Sequence, residues 1–440
     1  MNRAQYSTDI GGAAQPATNP APGAINSPGW PEEGRSWNCI REELLARKQD
    51  DYAWQHGRLA IYVYHDNDEL LSVSREAYNL FFSENALGRR AFPSLARMED
   101  EIVGMCASLF HAPAGASGTF TSGGTESIFL ALKTARDNFR SNRSRELRPV
   151  VIVPRTAHPA FDKAAHFLDV DIVRTPIGAD LRADVAAMRA KIDERTMLIA
   201  GSAPCYPYGV FDPIAALAQL ATATGVWLHV DACLGGFLAP FARDEGYEIP
   251  EFDFSLAGVS SLSADLHKFG FTARGASVLL YRDGMLKARQ SFHFDDWPRG
   301  SYSTETFLGS RPGGAVASAW AVVQYLGRRG YRALARKILD AKQRLIDGIE
   351  TIPGLEVVRP SELGIVLYRS VDPALDINAV GDALSSKGWF VGRSREPQAL
   401  HLALNAVHAL IIDEYLSHLR AAVRLVRLSG RVGKQDDHTY

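Results

Sequence analysis

The chain has little that would tie it to a membrane, a nucleic acid or a metal. No apolar stretch in its 440 residues approaches the roughly 20 that a helix needs to span a bilayer. The N-terminus has no basic segment followed by an apolar run, so no secretory signal is expected. Lysine and arginine number 48 against 50 aspartates and glutamates, a formal net charge of -2. That balance gives no electrostatic footprint for nucleic acid or an anionic lipid surface. There are only four cysteines, at positions 39, 106, 205 and 233. Their spacing fits neither a metal site nor a disulfide framework. Three lie in apolar surroundings and are expected as buried thiols of a cytoplasmic protein. No internal repeat is visible. The glycine-rich segment at Gly123 lacks both a Walker lysine and G-x-G-x-x-G spacing, which argues against a nucleotide.

What is present is a large apolar fraction, 46% hydrophobic against 22% charged, as in a globular protein with one large core and a smaller second one. Residues 1–30, mostly small and polar, are expected to form a disordered tail, and 430–440 a second one. A helical arm is expected over 31–92, with helices at 37–48 and 68–85 joined by a tyrosine-rich connector at 59–65. Apolar spacing predicts a helix at 93–109. From Pro149 onward, near-continuous apolar strands (150–153, 171–174, 197–201, 226–231) alternate with amphipathic helices (159–168, 182–194, 213–224). That alternation indicates a mainly parallel central sheet covered by helices on both faces. The large domain is read as 93–325. A small α+β C-terminal domain is read as 326–429.

Ligands of such sheets bind beyond the carboxyl ends of the strands. His229-Val230-Asp231-Ala232-Cys233 is an apolar run that ends on a carboxylate there. Ser263-Ala264-Asp265-Leu266-His267-Lys268 brings a lysine to the end of another strand. An acid and a lysine arriving from two strands of one sheet suit pyridoxal 5'-phosphate (PLP). The lysine forms the Schiff base and the carboxylate keeps the pyridine nitrogen protonated. Thr121-Ser122-Gly123-Gly124-Thr125-Glu126-Ser127 opens a helix, where small residues and free N–H groups can hold one phosphate monoester. His158 follows a strand at the same edge, where an imidazole can lie on a pyridine ring. Ser202 ends the next strand and can donate to a ring hydroxyl or phosphate. Ser310-Arg311-Pro312-Gly313-Gly314 is a second small-residue helix start. Each of these has an ordinary structural explanation alone; their combination points to the cofactor.

The segments SGGTES, TAHPAFDKAA, HVDACLGGFLAPF, SADLHKFGF and GSRPGG, in this order, closely resemble the sphingosine-1-phosphate lyase family. That family is one of the fold-type-I PLP enzymes, in the branch shared with glutamate and aromatic amino-acid decarboxylases. The resemblance runs from about Leu59 to Val426. It implies that Lys268 carries the Schiff base, Asp231 pairs with the pyridine nitrogen and His158 stacks on the ring. It implies further that Gly124, Thr125 and His267 hold the cofactor phosphate, with Ser310 reaching it from the partner subunit of a homodimer. Tyr206 and Arg274 match positions that face the substrate phosphate, and Tyr62 or Tyr64 completes that pocket. Leu87-Gly88-Arg89-Arg90 departs from the family pattern where a histidine is expected; Arg89 or Arg90 can replace it as a cation, or both can equally be exposed. The implied reaction is retro-aldol cleavage of a phosphorylated long-chain base to an aldehyde and phosphoethanolamine. The alternatives are an amino-acid decarboxylase of the same fold and a non-catalytic PLP- or lipid-binding protein.

Overall fold

The structure, a computed structural model, describes residues 29–142 and 147–433. The expected tails fall mostly outside these residues. The chain divides into two units, 1–51 and 52–440. In the first, helix α1 (Trp37–Arg47) is capped by Ser36 and braced by Glu43, which pairs with Arg47 at 2.5 Å and Arg35 at 2.6 Å. It buries none of its residues.

The second unit is built on a seven-stranded sheet in the order β1-β7-β6-β5-β4-β2-β3. The strands are β1 (Ser117–Thr121), β2 (Val150–Pro154), β3 (Asp171–Thr175), β4 (Thr196–Ser202), β5 (Trp227–Asp231), β6 (Val259–Ala264) and β7 (Ser277–Tyr281). β3, β2, β4, β5 and β6 run parallel, and β7 is antiparallel to both β6 and β1. The expected mainly parallel sheet is therefore observed. β1 had no apolar run to announce it, because Ser117-Gly118-Thr119 carries small and polar side chains.

Successive strand residues face opposite sides. Ile152, Ile199, Leu228 and Val230 join one hydrophobic cluster, and Val151, Val153, Leu198 and Ala200 another. Helices cover these faces: α2 (Asp68–Leu80), α3 (Pro93–Leu109), α4 (Gly124–Asn142), α5 (Ala160–Leu168), α6 (Val185–Arg189), α7 (Ile214–Thr224), α8 (Ala239–Asp244) and α9 (Gly284–Lys287). A short exposed hairpin, β8 (Phe292–Phe294) and β9 (Tyr302–Thr304), precedes α10 (Gly313–Glu350). α10 breaks at Gly327, whose φ of 52° and ψ of -177° are non-helical. The strands β10 (Leu355–Val357), β11 (Ile365–Ser370), β12 (Gly392–Arg395) and β13 (Gln398–Ala403) form an antiparallel sheet in the order β10-β11-β13-β12. It packs with α11 (Ile377–Ser385) and α12 (Ile412–Ser429) around Tyr368, Leu400 and Leu419.

Two helices are shorter than their periodicity predicts. α2 stops at Leu80, not 85, because residues 84–86 give their backbone bonds to 311–313: Ala86 N–H donates to Arg311 O and Gly313 N–H to Glu84 O, both at 2.9 Å. α6 keeps only Val185–Arg189 of the expected 182–194. Ala183 donates to the Asp212 carboxylate at 2.8 Å, Asp184 caps the helix, and Asp193 is held in a turn with Thr196. Among the described residues, no helix is long and apolar enough to cross a membrane.

Candidate active site

The carboxyl ends of β1, β2, β4, β5 and β6 share one edge of the sheet, and the candidate residues gather there. Register places Ser202 beside Asp231 and Asp231 beside Ser263. Asp231 is 8% exposed, and its Oδ1 accepts the Cys233 N–H at 3.0 Å. Ser202 is fixed by its own backbone. Its N–H donates to the buried Asp212 carboxylate at 2.7 Å, and its carbonyl accepts the Asp212 N–H at 3.0 Å. Burial pushes the Asp212 carboxyl up to about 6.

Lys268 lies in a tight turn four residues past β6. Its Nζ is 3.0 Å from the Asp265 carboxylate. Burial alone would lower its proton affinity, but Asp265, Cys233, Tyr64 and Asp231 outweigh it and hold the amine well above the ordinary lysine range. His267 accepts the Ala276 N–H on Nδ1 at 3.2 Å. Its neutral ring must then carry its proton on Nε2, which makes that atom a donor. His158 is set the same way, with Nδ1 accepting the Ala160 N–H at 3.1 Å. Burial lowers the pKa of both imidazoles, that of His267 to about 4.

Gly124 and Thr125 stand at the start of α4, with Thr125 exposed. Sequence reasoning gave the glycines to close anion approach. The structure adds a second cause: a Cβ on Gly124 would lie 2.7 Å from Cys233 Sγ and 2.9 Å from Asp265, and one on Gly123 would lie 3.3 Å from His267. Glu126 accepts the Ser122 N–H at 2.6 Å and the Phe307 N–H at 2.7 Å. It therefore closes the turn and pins the segment that carries Ser310, itself exposed.

The two tyrosines of the connector go to different places. Tyr64 packs edge-on to Phe269 at 4.8 Å, next to Lys268, and the Arg274 guanidinium sits 5.9 Å from its ring. Arg274 is exposed and donates to the His267 carbonyl at 3.2 Å. Tyr62 lines a cavity of about 770 Å³ together with His158, Tyr206 and Phe390. Its φ of 65° is left-handed, a conformation a tyrosine adopts only when its surroundings impose it. Tyr206 is steadied by His401, whose Nε2 donates to its carbonyl at 3.0 Å.

Below the edge, His229 lies fully buried between the Ser261 (2.8 Å) and Ser263 (3.2 Å) hydroxyls, and burial pushes it down to about 4. His408, buried in the small-sheet region, is likewise near 4. A pH dependence follows. Between about 4 and 6.5 the unfolded chain binds protons at these imidazoles and at His267 that the folded chain refuses, so stability falls as pH drops through that window. Each imidazole contributes on the order of 3 kcal/mol at the low end. Asp212, with its raised value, opposes them between about 6 and 4 but is one group against three. Urea midpoints measured from pH 7 to pH 4.5 are expected to fall steadily; a flat profile would show that the three rings titrate normally.

Residues 53–371 match the pyridoxal-dependent decarboxylase conserved domain. The chain is 40% identical to the sphingosine-1-phosphate lyase of Arabidopsis thaliana over 396 residues, 88% of this chain and 72% of that protein. The chain belongs to the sphingosine-1-phosphate lyase family. Its cofactor is PLP, as for the wider group. The structure of the Burkholderia pseudomallei lyase superposes with a TM-score of 0.86 at 38% identity, covering 92% of this chain and 94% of that one. A probable L-tyrosine/L-aspartate decarboxylase of Methanothermobacter thermautotrophicus is 33% identical over 81% of this chain and 94% of its own.

Against the lyase pattern, the Arg89-Arg90 departure has a plain structural outcome. Arg89 is 54% exposed and pairs with Asp100 at 2.6 Å, with Glu99 3.8 Å away; Arg90 is exposed as well. Sequence reasoning passed over Asp265 and Glu126. The i,i+3 spacing of Asp265 from Lys268 was the available signal for the first. Glu126 had none for its tie to Phe307, 181 residues on.

Proposed function

We propose that this enzyme cleaves the C2–C3 bond of sphingosine 1-phosphate and related phosphorylated long-chain bases, giving a long-chain aldehyde and phosphoethanolamine. The observation that carries this is the convergence of Lys268, Asp231 and His158 at one sheet edge, with Arg274 and Tyr64 beside them. The side chains present fit PLP. The start of α4 is a cradle that a Cβ would fill, and His267 aims an Nε2–H donor from its rim. Gly124, Thr125 and His267 would hold the phosphate, Ser202 would donate to a ring substituent, His158 would lie on the ring, Asp231 would pair with the ring nitrogen, and Lys268 would make the covalent link. PLP, when bound, supplies an electron sink for the carbon left by bond cleavage.

The protein's own work is with protons and orientation. Asp231, buried at the end of β5, would hold the ring-nitrogen proton through a charge-assisted bond of roughly 1.5–3 kcal/mol. Tyr64 and the freed Lys268 are proton-holding groups next to the linkage, suited between them to the proton transfers at the C3 hydroxyl and at C2, where the cofactor phosphate is a third candidate. Tyr62, Tyr206 and Phe390 wall the cavity on the His158 side.

Exposed Phe292 (55%), Trp297 (49%) and Phe307 (66%) cluster on and after the hairpin, an apolar surface of the kind that marks an interface. We assign it to a second copy, in a cytoplasmic homodimer, with Ser310 of that segment reaching the other cofactor phosphate.

The deciding experiment is a product assay. A phosphorylated long-chain base should yield fatty aldehyde, while aromatic amino acids should yield no carbon dioxide. The reverse pattern would establish the decarboxylase reading, which the Methanothermobacter relative favours.

Substrate recognition has its own test. Arg274 offers a planar fork suited to phosphate oxygens. Arg274→Ala is expected to weaken binding of the phosphorylated base by roughly 1.5–3 kcal/mol and to leave its unphosphorylated analogue nearly unaffected. Equal losses on both would make Arg274 a support for the His267 turn instead.

A further inference from the structure

Asp265 is the feature of the site that the proposed chemistry leaves unused. It is 2% exposed. One carboxylate oxygen meets Lys268 Nζ at 3.0 Å, and His267 Nε2 is 3.6 Å from it. The other, Oδ1, is buried with no hydrogen-bond partner among the described residues. Burial disfavours the ionised form of Asp265, but Lys268, His267 and the Ser277 hydroxyl, which also donates to the Ala264 carbonyl at 3.0 Å, outweigh it and hold the carboxyl below its ordinary range. The carboxylate also lies against Gly124, where a Cβ would come within 2.9 Å of it. An acid group thus sits against the start of α4, where the PLP phosphate is placed above.

Two consequences follow, the second resting on that PLP reading. With Lys268 free, its ammonium and the Asp265 carboxylate neutralise each other. With Lys268 engaged by the cofactor, the carboxylate would be left buried beside a phosphate without its cationic partner, with only the His267 ring and the Ser277 hydroxyl near it. A buried charge in that position neutralises itself by taking a proton. The proton at hand is the one that Lys268 must lose to act as a nucleophile.

We propose that Asp265 is a positioning residue that stores the proton of Lys268: it pairs with the free ammonium and keeps that proton on its own carboxyl while Lys268 is bound to cofactor. The exchange balances with the aldehyde of PLP and the substrate amine as the only other reactants. Lysine N–H⁺ gives a proton to the carboxylate, the neutral amine would condense with the aldehyde carbon while its oxygen leaves as water with the two remaining N–H protons, and the carboxylic acid would return its proton to Lys268 when the substrate amine displaces it. The other groups facing Lys268 are Cys233, Tyr64 and Asp231, with His158 approaching from the loop after β2 and His267 beside the carboxylate. Asp265 alone of these carboxylates is in direct contact with Nζ.

The first measurement needs no variant. In cofactor-free wild-type protein, acetylation of Lys268 by acetic anhydride is followed by mass spectrometry as pH rises, with exposed lysines as internal reference. Lys268 is expected to stay protected to higher pH than they do. A midpoint at or below theirs would overturn the proposal whether or not any variant folds. The second uses Asp265→Asn, which keeps the shape against Gly124. The midpoint of Lys268 should drop by at least about one unit, a tenfold change in proton affinity. Infrared difference spectra on adding PLP should show a carboxylic-acid C=O band in wild type that is missing in Asp265→Asn. No band in wild type, or the same band in both, would exclude the stored proton. Borohydride trapping of the cofactor on Lys268 reports separately on the PLP reading, so the two can fail independently.

Discussion

Lys268→Ala is expected to lose product formation by at least about a thousandfold, roughly 4 kcal/mol of transition-state stabilisation. Borohydride reduction followed by peptide mapping should place the pyridoxyl group on Lys268 in wild type and nowhere in the variant. Label on another lysine would remove the assignment. The cause is geometric as well as chemical. The turn after β6 delivers this amine into a pocket bounded by Asp231, Cys233, Asp265 and Tyr64. The variant also leaves the Asp265 carboxylate buried without its partner, which costs on the order of 3–5 kcal/mol in stability. Adding Asp265→Asn should restore much of that stability and none of the activity. Denaturation of the single and double variants reads this coupling directly; equal losses in both would mean that the 3.0 Å ion pair contributes little.

Asp231→Asn should fold normally, bind PLP more weakly and lose at least about a hundredfold in rate, roughly 2.7 kcal/mol. The amide keeps the shape and the bond from the Cys233 N–H at 3.0 Å, so packing is preserved. What it removes is the negative charge proposed above to hold the ring-nitrogen proton. Cofactor dissociation constants and turnover on the phosphorylated long-chain base measure the two effects. A near-normal rate would show that the electron sink does not depend on this carboxylate.

These two residues were also the most legible in the sequence. β5 reads Trp227-Leu228-His229-Val230-Asp231, and a buried parallel strand is apolar throughout, so its closing acid stands out. His229 interrupts that run without harm because Ser261 and Ser263 of the neighbouring strand satisfy both ring nitrogens. The choice left open between Tyr62 and Tyr64 had no answer in the sequence, since both lie in one short connector. The fold sends Tyr64 to Phe269 and the Lys268 turn, and Tyr62 to the cavity wall opposite, in a left-handed conformation.

The sequence by itself determined the alternating strands and helices and the sheet edge at which Ser202, Asp231 and the Lys268 turn come together. Those properties are local: apolar periodicity, a helix start without side chains, an acid or a lysine at a strand's end. The tertiary structure alone decided where α2 and α6 stop, because residues 84–86 and Ala183 give their backbone hydrogen bonds to distant partners rather than to their own helices. It alone decided that Arg89 pairs with Asp100, and that Gly124 must be bare partly to admit Asp265 and Cys233. Each of these depends on a contact between segments far apart in the chain, and no local pattern records which distant group will arrive.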